Sequence, residues 1–353
     1  MKDEITGVTA DCLKTEKRAG ITVAGNILCD IVKTIDCYPK IGMLSNILET
    51  SMAVGGCVPN TAICLAKMDS GIPISAVGKI GDDDYGKFVL SQMVNYGIDC
   101  NRVSVSANKP TSFSDVMSLP SGERTFFHAR GANAQFSPKD IDLSSLNCKI
   151  FHIGYILLLD KFDTEDAEYG TLMAHFLHDL RKKDIKTSVD VVSDSKADYK
   201  AKILPVLPFC DYFIVNEIEG SMISDLQPYN DDGSICQENI KQTMRFIANS
   251  GVKEKVVIHC KDAGFCYDVA TERFTVVSSL KIPSEKIKGS VGAGDAFCAG
   301  CLYGFYNGYE DRHVLEFASA TAACNLFAEN SVDGITDKDE IEKMAKKYGR
   351  KEL

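Results

Sequence analysis

The chain has 353 residues, 45% of them apolar, and a formal net charge of -10. That length and apolar share support a sizeable buried core, whereas the negative charge argues against nucleic acid or a membrane surface as partner, since both are polyanions. No apolar run reaches the 18 residues a spanning helix needs, and the 14 cysteines lie scattered through apolar runs, as at Cys64, Cys210 and Cys324, which fits buried thiols in a cytoplasmic protein.

Residues 1–20 mix both charges and contain no apolar centre, so they are read as an N-terminal extension and not a secretory signal. ITVAGNILCD (21–30) is a short buried strand ending in a Gly-Asn turn. IVKTIDCYP (31–39) and ILETSMAV (47–54) form one candidate strand pair, and the alternating residues around PSGE in 111–129 form another. Between them, GGCVPNTAICLAKMDSG (55–71) is a glycine turn entering a helix with Pro59 near its start. ISAVGKIG (74–81) is a strand, and 82–98 is a helix whose acidic start suits the helix dipole.

From residue 149 onward strands and helices alternate. Strands are expected at 149–158, 187–192, 211–217 and 254–260, helices around 164–183, 197–206 and 238–250, then a hairpin and helices at 295–307, 311–328 and 337–348. Near-continuous apolar strands in such alternation imply a mostly parallel sheet covered on both faces. The expected architecture is therefore one α/β domain over 21–353, a three-layer αβα sandwich, with a small β-sheet lid inserted at about 31–54 and 111–130.

The stretch KGSVGAGDAFCAG (288–300) carries the chemistry. It lacks the lysine and hydroxyl of a G-x-x-x-x-G-K-[ST] phosphate loop, and Phe297 stands where G-x-G-x-x-G needs its third glycine. Gly292, Ala293 and Gly294 can offer backbone N–H groups to an anion at a helix start. Asp295 is poorly placed to bind a resting phosphate but well placed to take a proton from a hydroxyl while those N–H groups stabilise a phosphoryl group in transfer. As a plain helix-start carboxylate it would contribute under about 1 kcal/mol. Cys298 and Cys301 have metal or redox spacing, but no second Cys or His pair lies nearby in the sequence.

The motifs G-N-x-x-x-D at 25–30, GG at 55–56, VGKIGDDDYG at 77–86, N-E-x-E at 216–219 and GAGD at 292–295 occur in that order. In this the chain resembles the ribokinase-like, or PfkB, carbohydrate kinases, from about residue 20 to 345. The resemblance implies transfer of the γ-phosphoryl group of ATP to a sugar hydroxyl, with Asp295 as general base and the Gly292–Gly294 amides as anion hole. It implies that Asp30, Gly55, Gly56 and Asn60 grip the acceptor; a carboxylate at a strand end can bind two hydroxyls at once, or merely cap a turn. Arg130 and Asn133 are candidates to reach the acceptor across the lid. Asn216 and Glu219 are expected near the nucleotide phosphates, Glu219 meeting Mg2+ through water. A homodimer through the lid is implied in the same way.

Two departures stand out. Gly289 replaces the aspartate that often belongs to a monovalent-cation site, which counts against K+ activation. The nucleotide-side T-L-G-x-x-G pattern reads HCKDAG here, keeping only Gly264, with Lys261 a candidate phosphate contact and Ser319 a candidate lining of the adenine pocket. The acceptor is left open between a sugar, a nucleoside and a sugar phosphate, and a non-catalytic ligand-binding protein on the same scaffold is the reading from another class.

Overall fold

The computed structural model describes residues 18–353 apart from 121–122 and 195–196. Most of the proposed N-terminal extension, and two residues of the PSGE turn, therefore lie outside the described residues.

In chain order, β1 (Ile21–Ala24) enters the core; β2 (Leu28–Ile35) and β3 (Ile47–Gly55) leave it. Then follow α1 (Cys57–Met68), β4 (Ile74–Gly81), α2 (Asp84–Asn95), β5 (Asp99–Ser106), β6 (Ser112–Ser118) and β7 (Arg124–Ala129). The second half runs β8 (Ile150–Ile156), the two-residue pair β9 (Glu165–Asp166) and β10 (Gly170–Thr171), α3 (Leu172–Arg181), β11 (Lys186–Val191), α4 (Tyr199–Ile203), β12 (Tyr212–Asn216), α5 (Glu217–Ser224) and α6 (Gln237–Asn249). It ends with β13 (Lys255–His259), β14 (Ala263–Asp268), β15 (Arg273–Ser278), α7 (Ala293–Asn307), α8 (Asp311–Asn325) and α9 (Lys338–Tyr348).

The main sheet has nine strands in the order β15-β14-β13-β12-β11-β8-β1-β4-β5, parallel from β13 to β5, with the β14–β15 hairpin antiparallel at one edge. Strand alternation divides two apolar cores. Tyr212 and Ile214 of β12 face the core under α1, α7, α8 and α9, while Phe213 and Val215 face the one under α3 and α6. Burial on both faces is why these strands read as unbroken apolar runs. The second sheet, β3-β2-β6-β7, stands apart as the lid, and the mixed α/β fold read from the sequence is the one observed.

Several boundaries differ from expectation. The helix expected over 164–183 begins only at 172, because Gly170 takes φ +85° and the Thr171 hydroxyl accepts the Ala174 N–H as an N-cap. Helix α5 and edge strand β5 are additional to the elements expected from the sequence. No helix among the described residues is long and apolar enough to cross a membrane.

Candidate active site

The site forms where the carboxyl ends of β1, β8, β11, β12 and β13 meet the start of α7, the crevice in which open parallel sheets hold ligands. Gly292 is the N-cap of α7 with φ +78°, and a Cβ there would lie 2.5 Å from that of Ser331, so only glycine fits this turn. The Ala293 N–H is taken by the Ser290 carbonyl at 3.2 Å, which closes the turn and removes it from the expected amide trio; those of Gly292 and Gly294 have no partner among the described residues.

Asp295, third residue of α7, is 6% exposed. Its Oδ2 accepts hydrogen bonds from Asn60 Nδ2 at 2.9 Å and from the Tyr155 hydroxyl at 3.0 Å. Both donors use one oxygen, which leaves Oδ1 for a further partner. Burial, and next the charge of Asp190, push the carboxyl up to about 6, against the pull of those two donors.

Three hollows adjoin the turn into α7, lined by Val291, by Gly292 and Asp295, and by Ser290 and Ala293 respectively. The first, about 660 Å³ between the lid and the loop segments 288–291 and 327–334, is lined by Asp30, Arg124, Phe126, Lys288, Glu329 and Asn330 among others. Asp30 sits on β2 and is pushed up to about 7, chiefly by burial. The paired glycines have separate reasons. A Cβ on Gly55 would come within 2.5 Å of Asp30 Oδ2, whereas Gly56, the N-cap of α1, has φ +86° and would strike the Asn26 carbonyl. Asn60, one turn into α1, keeps its Oδ1 buried and without a partner among the described residues.

The second hollow, about 260 Å³, is a cleft lined by Tyr155, Asp190, Ser193, Asn216, Glu219, His259, Gly292, Gly294 and Asp295. Asn216 and Glu219 form a capping box at the start of α5: the Glu219 N–H donates to Asn216 Oδ1 at 2.8 Å and the Asn216 N–H to Glu219 Oε2 at 2.9 Å. Ser193 donates to the other Glu219 oxygen at 2.8 Å. Burial pushes Glu219 up to about 8. With both Glu219 oxygens engaged inside the protein, the side chain is left to approach a cation only through water.

The third hollow, about 340 Å³, is more apolar, with Leu280, Ile282, Phe297, Ala322 and Leu326 beside Lys261 and Ser319. The Ser319 hydroxyl is buried with no partner among the described residues. His259 lies between the second and third hollows, tilted on Phe297 at 4.8 Å between centroids, and burial holds its imidazole down to about 4. Gly264 lines none of these hollows. It sits behind Phe297, where a Cβ would lie 2.8 Å from the ring.

Of the expected acceptor contacts, Asp30 alone lines the first hollow; Gly55 backs Asp30, Asn60 is bonded to Asp295, and Arg130 and Asn133 are engaged elsewhere. Arg130 is ion-paired with Asp160 on the surface. Asn133 is fully engaged with the backbone of Ile27, accepting from its N–H at 3.2 Å and donating to its carbonyl at 3.1 Å, and so pins the passage from β1 to β2. The lid instead contributes Arg124 and Phe126. At Gly289, a Cβ would lie 3.0 Å from the Ala328 carbonyl, so a carboxylate there would require residues 328–329 to shift. Tyr155, Asp190, Ser193 and His259 escaped the sequence reading; their only signal is position at the ends of parallel strands.

A family model described as pfkB family carbohydrate kinase matches residues 26–338. The chain is 22% identical over 330 residues to a ribokinase of Schizosaccharomyces pombe, covering 91% of this chain and 96% of the relative. It is 24% identical over 301 residues to a 5-dehydro-2-deoxygluconokinase of Clostridium perfringens, covering 83% and 84%. Among solved structures, Arabidopsis thaliana ribokinase complexed with ribose and ATP superposes with a TM-score of 0.75 at 20% identity, over 93% of this chain and 99% of that one. With nearly the whole chain matched, the protein belongs to the pfkB family of carbohydrate kinases, phosphotransferases that use an alcohol group as acceptor.

Proposed function

We propose that the protein transfers the γ-phosphoryl group of ATP to a hydroxyl of a sugar, with Asp295 as the general base. The observation that carries this reading is the buried Asp295 carboxylate at the amide end of α7, with one oxygen gripped by Asn60 and Tyr155 and the other left for a hydroxyl. With its carboxyl at about 6, Asp295 is ionised at neutral pH yet basic enough to take a proton as the acceptor oxygen attacks.

The acceptor sits in the hollow beneath the lid, its hydroxyls held by Asp30 and Asn60 with Gly55 and Gly56 allowing close approach. That hollow sets Asp30, Glu329 and Asp333 against Arg124 and Lys288, a balance that favours an uncharged polyol over a sugar phosphate. The nucleotide base lies in the apolar third hollow beside Ser319 and Lys261, and its phosphates point into the cleft towards the amides of Gly292 and Gly294. Mg2+ would neutralise phosphate charge there, its waters held by Asn216 and Glu219. Closure of the lid over the sugar excludes water and limits idle ATP hydrolysis. The exposed Leu44, Ile47 and Leu48 on the lid's outer edge supply the contact of a cytoplasmic homodimer.

The test is ADP release with Mg-ATP across a panel of sugars, sugar phosphates and nucleosides, for the wild-type chain and Asp295→Asn. The expected result is turnover with a neutral sugar that the variant loses by several orders of magnitude. A variant that turns over normally ends the base assignment, and a wild type inert towards the whole panel ends the kinase reading.

A further inference from the structure

The floor of the phosphate cleft holds a cluster that takes no direct part in the transfer reaction. His152 of β8, Asp190 of β11 and Cys298 of α7 bring one imidazole nitrogen, one carboxylate oxygen and one sulfur within 4.8 Å of one another, all three buried. His152 Nε2 lies 3.4 Å from Asp190 Oδ2 and 3.8 Å from Cys298 Sγ. Tetrahedral zinc, bound at about 2.0–2.3 Å from N, O and S, sets its ligands about 3.3–3.6 Å apart. The two separations from His152 are therefore close to the edges of a zinc tetrahedron.

The surroundings are ordered in the same sense. Ser188 Oγ lies 3.0 Å from His152 Nδ1, so the other ring nitrogen is held towards Asp190 and Cys298. Asp190 is fixed through its second oxygen, which accepts the Tyr155 N–H at 2.6 Å. Asp190 and Cys298 both line the cleft, so a fourth position opens towards solvent, and that is also the route of entry. Cys301, despite its spacing from Cys298, offers no atom to this cluster and lies in the apolar core beneath α7.

We propose that His152 Nε2, the Asp190 carboxylate and Cys298 Sγ form a binding site for a thiophilic divalent cation of the zinc class, with a cleft water as fourth ligand. On binding, the metal–sulfur bond forms as the S–H bond breaks, and one proton passes to solvent. The bound ion stands where the phosphates must lie and beside the Asp295 carboxylate, so it inhibits transfer. That last consequence rests on the proposed kinase reading; the site itself does not.

The test is spectroscopic. Full-length protein is stripped of metal with a chelator and titrated with Co2+, then with Zn2+. The expected result is a thiolate-to-cobalt charge-transfer band with tetrahedral visible bands, saturating at one equivalent and erased by one equivalent of Zn2+. Cys298→Ser and Cys298→Ala lose the charge-transfer band, Asp190→Asn weakens binding at least roughly tenfold, and Cys301→Ser keeps both. A folded wild type without the band, or a band that survives both Cys298 variants, overturns the site. Should both Cys298 variants unfold, cadmium NMR of the wild-type chain decides: one resonance of a single-thiolate site supports the site, and none, or a multi-thiolate shift, overturns it. Because the readout is a spectrum, an inactive kinase would leave the result standing.

Discussion

Asn60 Nδ2 donates to Asp295 Oδ2 at 2.9 Å and so ties the first turn of α1 to the first turn of α7, 235 residues away in sequence. This bond orients the carboxylate and also favours its charged form. Against it stand burial and Asp190, and their net effect is a carboxyl near 6 instead of the ordinary 3.8. The acid limb of kcat/KM should therefore fall with an apparent pKa near 6. Asn60→Ala or Tyr155→Phe removes a donor that lowers the pKa, and so moves that limb to higher pH. A pH–rate profile of the three proteins checks the direction; a limb that stays in place in both variants removes these donors from the account.

The same shift bears on stability. The folded carboxyl titrates near 6 and the unfolded one near 3.8, so the folded state loses stability as pH rises through that window. Above it, the buried charge costs roughly 1–3 kcal/mol. Asp295→Asn should unfold at a higher temperature than the wild type at neutral pH, with the gap closing as pH falls towards 4. Melting curves across that range read it directly, and a variant that is less stable at pH 7 would contradict the sign.

How much of this was legible in the sequence depends on distance along the chain. Gly292 and Asp295 are neighbours, so a glycine turn entering a helix could be read locally. The paired Gly55 and Gly56 could also be seen, though not that one makes room for Asp30 and the other needs a positive φ. Tyr155, Asp190 and His259 could not, because only the order of strands in the parallel sheet brings them together. Helix α5 was hidden by its eight residues and by Gly220 in its middle, which locally reads as a breaker. Arg130 and Asn133 looked available because sequence shows side-chain chemistry but not whether Asp160 or Ile27 has already claimed it.

Gly55→Ala tests the acceptor side. The backbone tolerates alanine, but its Cβ would fall 2.5 Å from Asp30 Oδ2 and from Leu28 Cδ1, so the carboxylate must move. A displacement of that size should cost about ten- to a hundredfold in kcat/KM for the sugar. KM for ATP should stay within about twofold. Steady-state kinetics with each substrate varied separates the two, and an equal rise in both KM values would point to a general disturbance.

Asn216 holds two roles that a stability measurement separates. As the N-cap of α5 it accepts the Glu219 N–H at 2.8 Å, so Asn216→Ala should cost about 1 kcal/mol of stability. Asn216→Asp and Asn216→Ser retain a capping oxygen and should recover most of that. In Asn216→Asp the added negative charge in the phosphate cleft should still raise KM for Mg-ATP, while stability stays near wild type. Denaturant unfolding and nucleotide kinetics on the three variants test both halves.

On the nucleotide side the informative residue is Gly264, which touches no hollow. A Cβ there lies 2.8 Å from Phe297 Cζ and 3.3 Å from Leu315 Cδ2, with the wall of α8 behind. The open space beside the ring is the hollow it already lines with Leu280, Ala322 and Ser319. Gly264→Ala should therefore narrow that hollow and raise KM for ATP several-fold, with KM for the sugar unchanged. Phe297→Leu in the Gly264→Ala background removes the ring that was displaced and should restore nucleotide affinity, a non-additivity expected of residues in contact. If the double variant is no better than Gly264→Ala alone, the ring is not what transmits the substitution, and the third hollow loses its claim to the adenine.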